Sequence, residues 1–335
     1  MATVSIRDVA ALAGVSVGTV SNVLNRPTKV AESTVVKVQR AIDILGFVRN
    51  DAARQLRAGR SRSIGLVVLD VANPFFTSVA RGAEEAADAA GLSVLLGNSD
   101  DDVAREHSYL DLFEEQRVHG VLISPIGDDV ERLGRLHARG IPAVLVDRPT
   151  EDSRFSSVAV DDIAGGRVAV EHLLDGGRRR ILMVAGPAGI RQVRDRLAGA
   201  REAVANTAGA TLEVLSTSSL TVLEGRAVGE AIASRPAGER PDAIFAANDL
   251  LAVGVLQAFA FGGSVRVPED IALVGYDDID FAAAAVVPLT SVRQPSALIG
   301  RTAVELLLRE GEDPDSAREH VMFDPELVVR ASTDG

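Results

Sequence analysis

The sequence predicts a two-part chain: an N-terminal all-α helix-turn-helix headpiece, then an α/β domain of two doubly wound parallel-sheet subdomains. Three observations predict it. Two short amphipathic stretches flank a glycine near the start of the chain, continuous apolar runs alternate with amphipathic segments from Ser63 onward, and the charge divides at about the same point. With 335 residues, 47% of them apolar and 24% charged, the chain is long enough for several domains with sizeable cores.

The headpiece is read from IRDVAALAGVSVGTVSNVLN, residues 6–25. Val9, Ala10 and Ala13 recur at helical spacing, Gly14 interrupts, and Ser16 opens a second helix carrying Val20, Val23 and Leu24. Gly14 suits the left-handed conformation of a sharp turn, and Ser16 is a favoured N-cap. If the three apolar residues of the second helix face inward, Val17, Gly18, Ser21, Asn22 and Asn25 face outward. An ordinary solvated helix face carries Glu, Lys and Arg. Valine, glycine, serine and asparagine instead suit a helix lying against base edges, with Val17 on a thymine methyl, Asn22 on adenine N6 and N7, and Gly18 allowing close backbone approach. The plain alternative is a capped helical hairpin with no role on DNA. A third helix is expected over Glu32–Leu45, with Val35, Val36, Val38, Ile42 and Leu45 available to the core and Gly46 ending it.

These residues, with Val30, Thr34, Asn50 and Leu56 following, resemble the DNA-binding headpiece of the LacI/GalR (lac repressor) family. The resemblance implies base reading by Val17, Gly18 and Asn22, and phosphate contacts by Ser16, Thr19, Ser21, Asn25 and Thr34. NDAARQLR, residues 50–57, has the composition of a helix too short to be stable alone in water. By resemblance it is a hinge that orders on DNA, with Asn50, Ala53 and Leu56 at the interface and Leu56 wedged into a base step. The alternative is a linker whose leucine packs on the domain that follows. The expected division is a headpiece over 1–49, a hinge and linker over 50–62, and an effector-binding and dimerisation domain over 63–335.

In that last domain the apolar runs are IGLVVL (64–69), LSVLL (92–96), GVLI (120–123), IPAVLV (141–146), VAV (158–160), ILMVA (181–185), AIFA (243–246) and IALVG (271–275). Such runs separated by helices imply parallel sheets covered on both faces. The pattern restarts near residue 181, hence two similar subdomains. The resemblance implies a periplasmic-binding-protein-like fold with interleaved subdomains, approximately 63–161 plus 291–322 and 162–290 plus 323–335.

Ligands of open α/β sheets bind at the carboxyl ends of the strands. Just past the runs stand Asp70, Asn98, Ser124, Asp147, Asp161, Asn248 and Asp277. Phe75 and Phe76 lie near the first exit, where a ring beside polar acceptors suits the apolar face of a sugar. Arg196 follows the 181–185 run and offers a planar fork of donors. Asp and Asn after strands also cap helices, and that reading stays open for Asp70, Asn98 and Asp161; core packing stays open for both phenylalanines. RDRLAG, AANDLL and LVGYDD match family segments whose arginine, asparagine and aspartate bind effector, which implies that role for Arg196, Asn248 and Asp277. Purine-type members carry an arginine in the loop after the Gly-Pro pair, where this chain has Ala188, Gly189 and Ile190. A sugar or sugar phosphate is the expected effector.

Other classes find little support. There is no cysteine, and the five histidines show no metal-ligand spacing. Asp100, Asp101 and Asp102 stand where a helix begins and read as caps. No nucleophile-elbow, phosphate-loop or dinucleotide motif occurs, so neither an enzyme nor a cofactor is expected. MATVSIRD is not a signal segment and no apolar run reaches membrane-spanning length, which predicts a cytoplasmic protein. Residues 1–62 hold ten Lys and Arg against four Asp and Glu, and the remainder 25 against 43, so attraction for phosphate is confined to one end. The last residues carry no sustained apolar heptads for a four-chain coiled coil. The expectation is therefore a homodimeric repressor on double-stranded palindromic operator DNA, controlled by a small-molecule effector. A cytosolic solute-binding protein and a sugar-metabolising enzyme are the alternatives, and residues 1–62 argue against both.

Overall fold

A computed structural model describes residues 4–47, 61–127, 131–313 and 316–334. The chain separates into two compact units, one up to Arg60 and one from Ser61.

The first unit is helical. Helix α1 (Ile6–Ala13) starts at Ser5, whose backbone N–H and hydroxyl both donate to the Asp8 carboxylate, at 2.8 and 2.7 Å. Those bonds hold the carboxyl of Asp8 below its ordinary range. Gly14 ends α1 at φ 65°, which a β-carbon would disfavour, and the chain turns into α2 (Val17–Asn25). After a 3-10 turn at Pro27–Lys29, α3 (Glu32–Leu45) closes the unit. Val9, Ala10, Val20, Val23, Val38 and Ala41 form its core, with Ile42 and Leu45 packed at the margin. Val36, expected inside, is exposed: it lies one residue off the Val35–Val38 stripe.

The second unit contains two six-stranded sheets. The first comprises β1 (Ser63–Val68), β2 (Ser93–Asn98), β3 (Gly120–Ile123), β4 (Ala143–Val146), β5 (Ser156–Val160) and β11 (His320–Phe323), in spatial order β11-β5-β4-β3-β1-β2. The second comprises β6 (Arg180–Ala185), β7 (Thr211–Ser216), β8 (Ala243–Ala246), β9 (Ala272–Asp277), β10 (Thr290–Arg293) and β12 (Glu326–Val328), in order β12-β10-β9-β8-β6-β7. The order β2-β1-β3-β4-β5 is repeated as β7-β6-β8-β9-β10, as two similar doubly wound halves require. Every pair is parallel except β10 with β12.

Helices cover both faces. On the first sheet α4 (Pro74–Ala89) and α12 (Ser296–Glu312) share one core, while α5 (Val103–Glu115) and α6 (Glu131–Ala138) bury Leu110, Phe113, Leu133 and Leu136 on the other. Around the second sheet pack α7 (Asp162–Asp175), α8 (Arg191–Ala205), α9 (Val222–Ala233) and α10 (Asp249–Gly262), and the short α11 (Asp280–Ala284) follows β9. The chain passes between the halves at Asp161, at Gln294–Pro295 and at Asp324–Pro325. No helix among the described residues is long and apolar enough to cross a membrane.

Candidate functional site

In the headpiece, the Ser16 hydroxyl accepts from the Thr19 N–H at 3.0 Å and lies 2.9 Å from the Thr19 hydroxyl, fixing the start of α2. Val20 and Val23 are buried; Val17, Gly18 and Asn22 are exposed, Val17 at 43%. Thr19 and Ser21 are half-buried at the edge of that face, and Thr34 is half-buried in the first turn of α3. Asn25 is the last residue of α2. The outer face of α2 thus carries no charged side chain. Asn50, Ala53 and Leu56 lie outside the described residues.

In the second unit the strand ends converge on Arg196. Its position depends on how closely α7 and α8 cross. A methyl group at Gly166 would collide with the Arg196 carbonyl, and one at Gly199 with the Ile163 carbonyl. Two glycines therefore let the helices touch backbone to backbone and bring Arg196 onto Asp162, the first residue of α7. The guanidinium donates from Nε to Asp162 Oδ1 at 2.8 Å and from Nη1 to the Ala247 carbonyl at 2.7 Å. It stacks on the Tyr276 ring with Cζ 3.6 Å from the centroid, and Nη1 lies 3.8 Å from Asp277 Oδ1. The cation–π contact and the carboxylates together replace the water that a guanidinium loses on burial.

Asp277 accepts from Asn73 Nδ2 at 3.1 Å and Gln294 Nε2 at 2.8 Å. Asp147 accepts from Gln192 Nε2 through both its backbone oxygen (2.6 Å) and Oδ2 (2.9 Å). Both aspartates have positive φ, 55° for Asp147 and 101° for Asp277, a backbone strain that clusters at binding sites. Burial raises the carboxyls of Asp147, Asp162 and Asp277 above their ordinary range. Asp147 is raised furthest of the three, since burial is reinforced by the charge of Asp162. Below this cluster Asp249 accepts from the Ser291 hydroxyl at 2.7 Å and the Ile279 N–H at 2.9 Å, holding the 277–279 turn.

The other expected residues are placed as follows. Asn248 is buried, caps α10 through the Leu251 N–H and donates to the Leu220 carbonyl, one residue from the oxygen that Arg196 binds. Ser124 is fully buried and its Oγ has no hydrogen-bond partner. Asp70 turns back onto the Ala72 N–H at 2.8 Å, Asn98 accepts from the Val71 N–H, and Asp161 caps α7 through Ala164 N–H at 2.9 Å. Phe75 and Phe76 pack edge to face, 5.0 Å apart, in the first core; Phe75 also lines a cavity of about 420 Å³ beside Asp277 and Gln294. Asp102 caps α5 through Ala104 and Arg105 N–H.

Asp162, Gln192, Asn73, Gln294 and Tyr276 belong to the cluster although the sequence reading did not single them out. Two carried a signal: Gln192 precedes Arg196 by one helical turn, and Asp162 is the second of two adjacent aspartates.

Residues 5–50 match the family described as bacterial regulatory proteins, lacI family, and residues 170–333 match a periplasmic binding protein-like domain. The chain is 35% identical to the HTH-type transcriptional repressor PurR of Photobacterium profundum, over 98% of each chain. The chain belongs to the lacI family. Another lacI-family relative, the ribose operon repressor of Bacillus subtilis, is 36% identical over 91% of this chain and 90% of its own. The lac repressor dimer bound to operator and the anti-inducer ONPF matches with a TM-score of 0.82 at 28% identity, over 99% of each chain. A helical headpiece with two parallel-sheet subdomains is the lac repressor-like fold. As a lacI-family chain, the protein is a DNA-binding transcription regulator and not an enzyme.

Proposed function

We propose that the protein is a dimeric repressor whose operator affinity is set by a small sugar held at Arg196. The carrying observation is the pair of bonds from one half of the second unit to the other, Asn73 to Asp277 and Gln192 to Asp147. A ligand that replaces either bond acts on both halves at once and so prefers one arrangement of the cleft. Only that preference alters DNA affinity, typically by about 1–3 kcal/mol of coupling. Val17, Gly18 and Asn22 read the operator base edges, and a two-fold dimer places two such helices one DNA turn apart on a palindrome. Leu223, Phe281 and Val286 in the second half are exposed apolar side chains available to such a dimer.

The relatives include both the repressor PurR and a ribose operon repressor. Ala188, Gly189 and Ile190 offer no side-chain donor, and Ile190 packs against the cores of both halves. This favours a sugar, and release from operator is the expected sign of its action. The test is operator affinity, with and without a sugar identified by thermal-shift screening, for wild type, Arg196→Ala and Asp277→Ala. Both variants should bind operator normally and lose the response. Full response in both at the wild-type sugar concentration would place the ligand elsewhere.

A further inference from the structure

A cavity of about 650 Å³ opens beside the Arg196 cluster and shares no lining residue with it. Its walls come from both halves of the second unit: Arg148, Thr150, Ser157 and His320 from the first, and Arg191 from the second. Arg148 follows Asp147 and Arg191 precedes Gln192, so the cavity adjoins the bond that joins those two residues across the halves. Arg148 is only 5% exposed and donates from Nη1 to the Gly127 carbonyl. Arg191 opens α8, and its Nε donates to Asp195 Oδ2 at 3.2 Å. The N-cap of that helix is Ile190, which has no polar side chain to satisfy the first-turn N–H groups, so the positive end of α8 adjoins the cavity as well.

Two acids also line the cavity, Glu151 and Asp152. Asp152 is engaged elsewhere: it accepts from Arg154 Nε and Nη2, bonds that hold its carboxyl below the ordinary range. Glu151 is exposed, where water and salt screen its charge, whereas the buried Arg148 is screened much less. The Thr150 hydroxyl accepts from the Asp152 N–H at 3.1 Å and keeps a hydrogen to donate. Pro149, Val321 and Met322 complete the wall with apolar surface.

We propose that this cavity is a second ligand site, for a small organic oxyanion whose phosphate or carboxylate group is held between Arg148 and Arg191. A guanidinium presents paired donors that match the oxygens of either group. Two like charges from opposite halves repel each other, and an anion between them attracts both. The ligand therefore draws the halves together where Asp147 meets Gln192, while its carbon body packs on Pro149, Val321 and Met322. Because the site shares no side chain with the Arg196 cluster, it stands whatever that cleft binds.

The experiment is calorimetric titration of the full chain with glycerol 3-phosphate and with succinate, each against chloride at equal ionic strength. At least one should bind saturably, with one molecule per chain, and the tighter of the two names the group that the site prefers. Arg148→Gln and Arg191→Gln should each weaken that binding about tenfold or more, the loss expected when one of two charged donors is removed. A cooperative melt shows that each variant is folded. Arg191 is half-buried at the rim, so Arg191→Gln decides alone should Arg148→Gln fail to fold. Binding that survives in both variants overturns the proposal, because the anion then sits in the Arg196 cleft or on the basic headpiece. Loss in one folded variant and not the other overturns it too, since a single half would then hold the anion. Absence of binding by either probe has the same consequence.

Discussion

Gly18 has no explanation inside its own unit. Its φ is not positive, and a β-carbon there would meet only Ser16 Oγ at an ordinary 3.6 Å. Glycine in a helix nevertheless costs about 0.5–1 kcal/mol relative to alanine. A residue that weakens the helix with no internal gain suits a surface where a partner's backbone or bases come close. Gly18→Ala should therefore slow amide exchange across α2 while lowering affinity for an operator selected from random duplexes. Equal or tighter operator binding would make Gly18 incidental. At the same scale, the cleft shows what single residues conceal. Asp161 and Asp162 are neighbours of one type after one strand; only the structure shows that the first caps α7 and the second holds Arg196. Asp147 and Asp277 were singled out because a strand exit is a position that spacing reveals, whereas Arg196, inside α8, was singled out by the family resemblance. Asn73 and Gln294 were not, since their roles depend on a turn and a crossing between halves that no local pattern encodes.

At the scale of elements, the second unit is organised by pairs of helices in backbone contact. The crossing of α7 and α8 matters most for function, because it fixes the distance from Arg196 to Asp162. Forcing a methyl group into such a contact typically costs about 1–3 kcal/mol. Gly199→Ala should lower the melting temperature and also weaken sugar binding. The paired control is an alanine at Gly189, where a β-carbon meets nothing within 4 Å. Unchanged sugar affinity in Gly199→Ala would show that Arg196 is positioned by its own bonds and not by the crossing. The central strands were legible for the same reason that they pack: burial on both faces makes them continuous apolar runs. β7 escaped because it is an edge strand with Thr211 and Glu213 among its residues, and β10, β11 and β12 because they are short and broken by polar residues such as Ser291, Arg293, His320 and Glu326. The headpiece helices, with a glycine turn and a stripe of apolar residues, were legible throughout.

At the scale of the molecule, charge is divided by task. The first 62 residues carry the positive excess and the remainder the negative. Operator affinity should fall steeply with added salt as phosphate contacts release counterions, despite a net charge of −12. A flat salt response would remove phosphate clamping from the headpiece's role.

The acidic remainder also makes stability depend on pH. Asp147 and Asp249 are held well above the ordinary carboxylate range, with burial the largest cause in both; for Asp249 the charge of Asp277 adds to it. Asp162 and Asp277 are raised as well. In the unfolded chain all four would titrate near about pH 4. A carboxyl raised by folding keeps its proton to higher pH, so its stabilisation is complete below the unfolded value and is lost as pH rises through the raised one. Surface pairs act oppositely and lower down: Asp270, brought to about 2 by its bonds to Arg266, loses its contribution only as pH falls below the unfolded value. Above about pH 4 the buried acids therefore favour a melting temperature that rises on acidification, while His172, whose pKa burial lowers, acts in the opposite sense. Asp147→Asn should raise it more at the alkaline end than at the acid end and so flatten the profile. An unchanged slope in that variant would mean that Asp147 is ionised throughout this range, its charge offset by Arg196 and by the bond from Gln192.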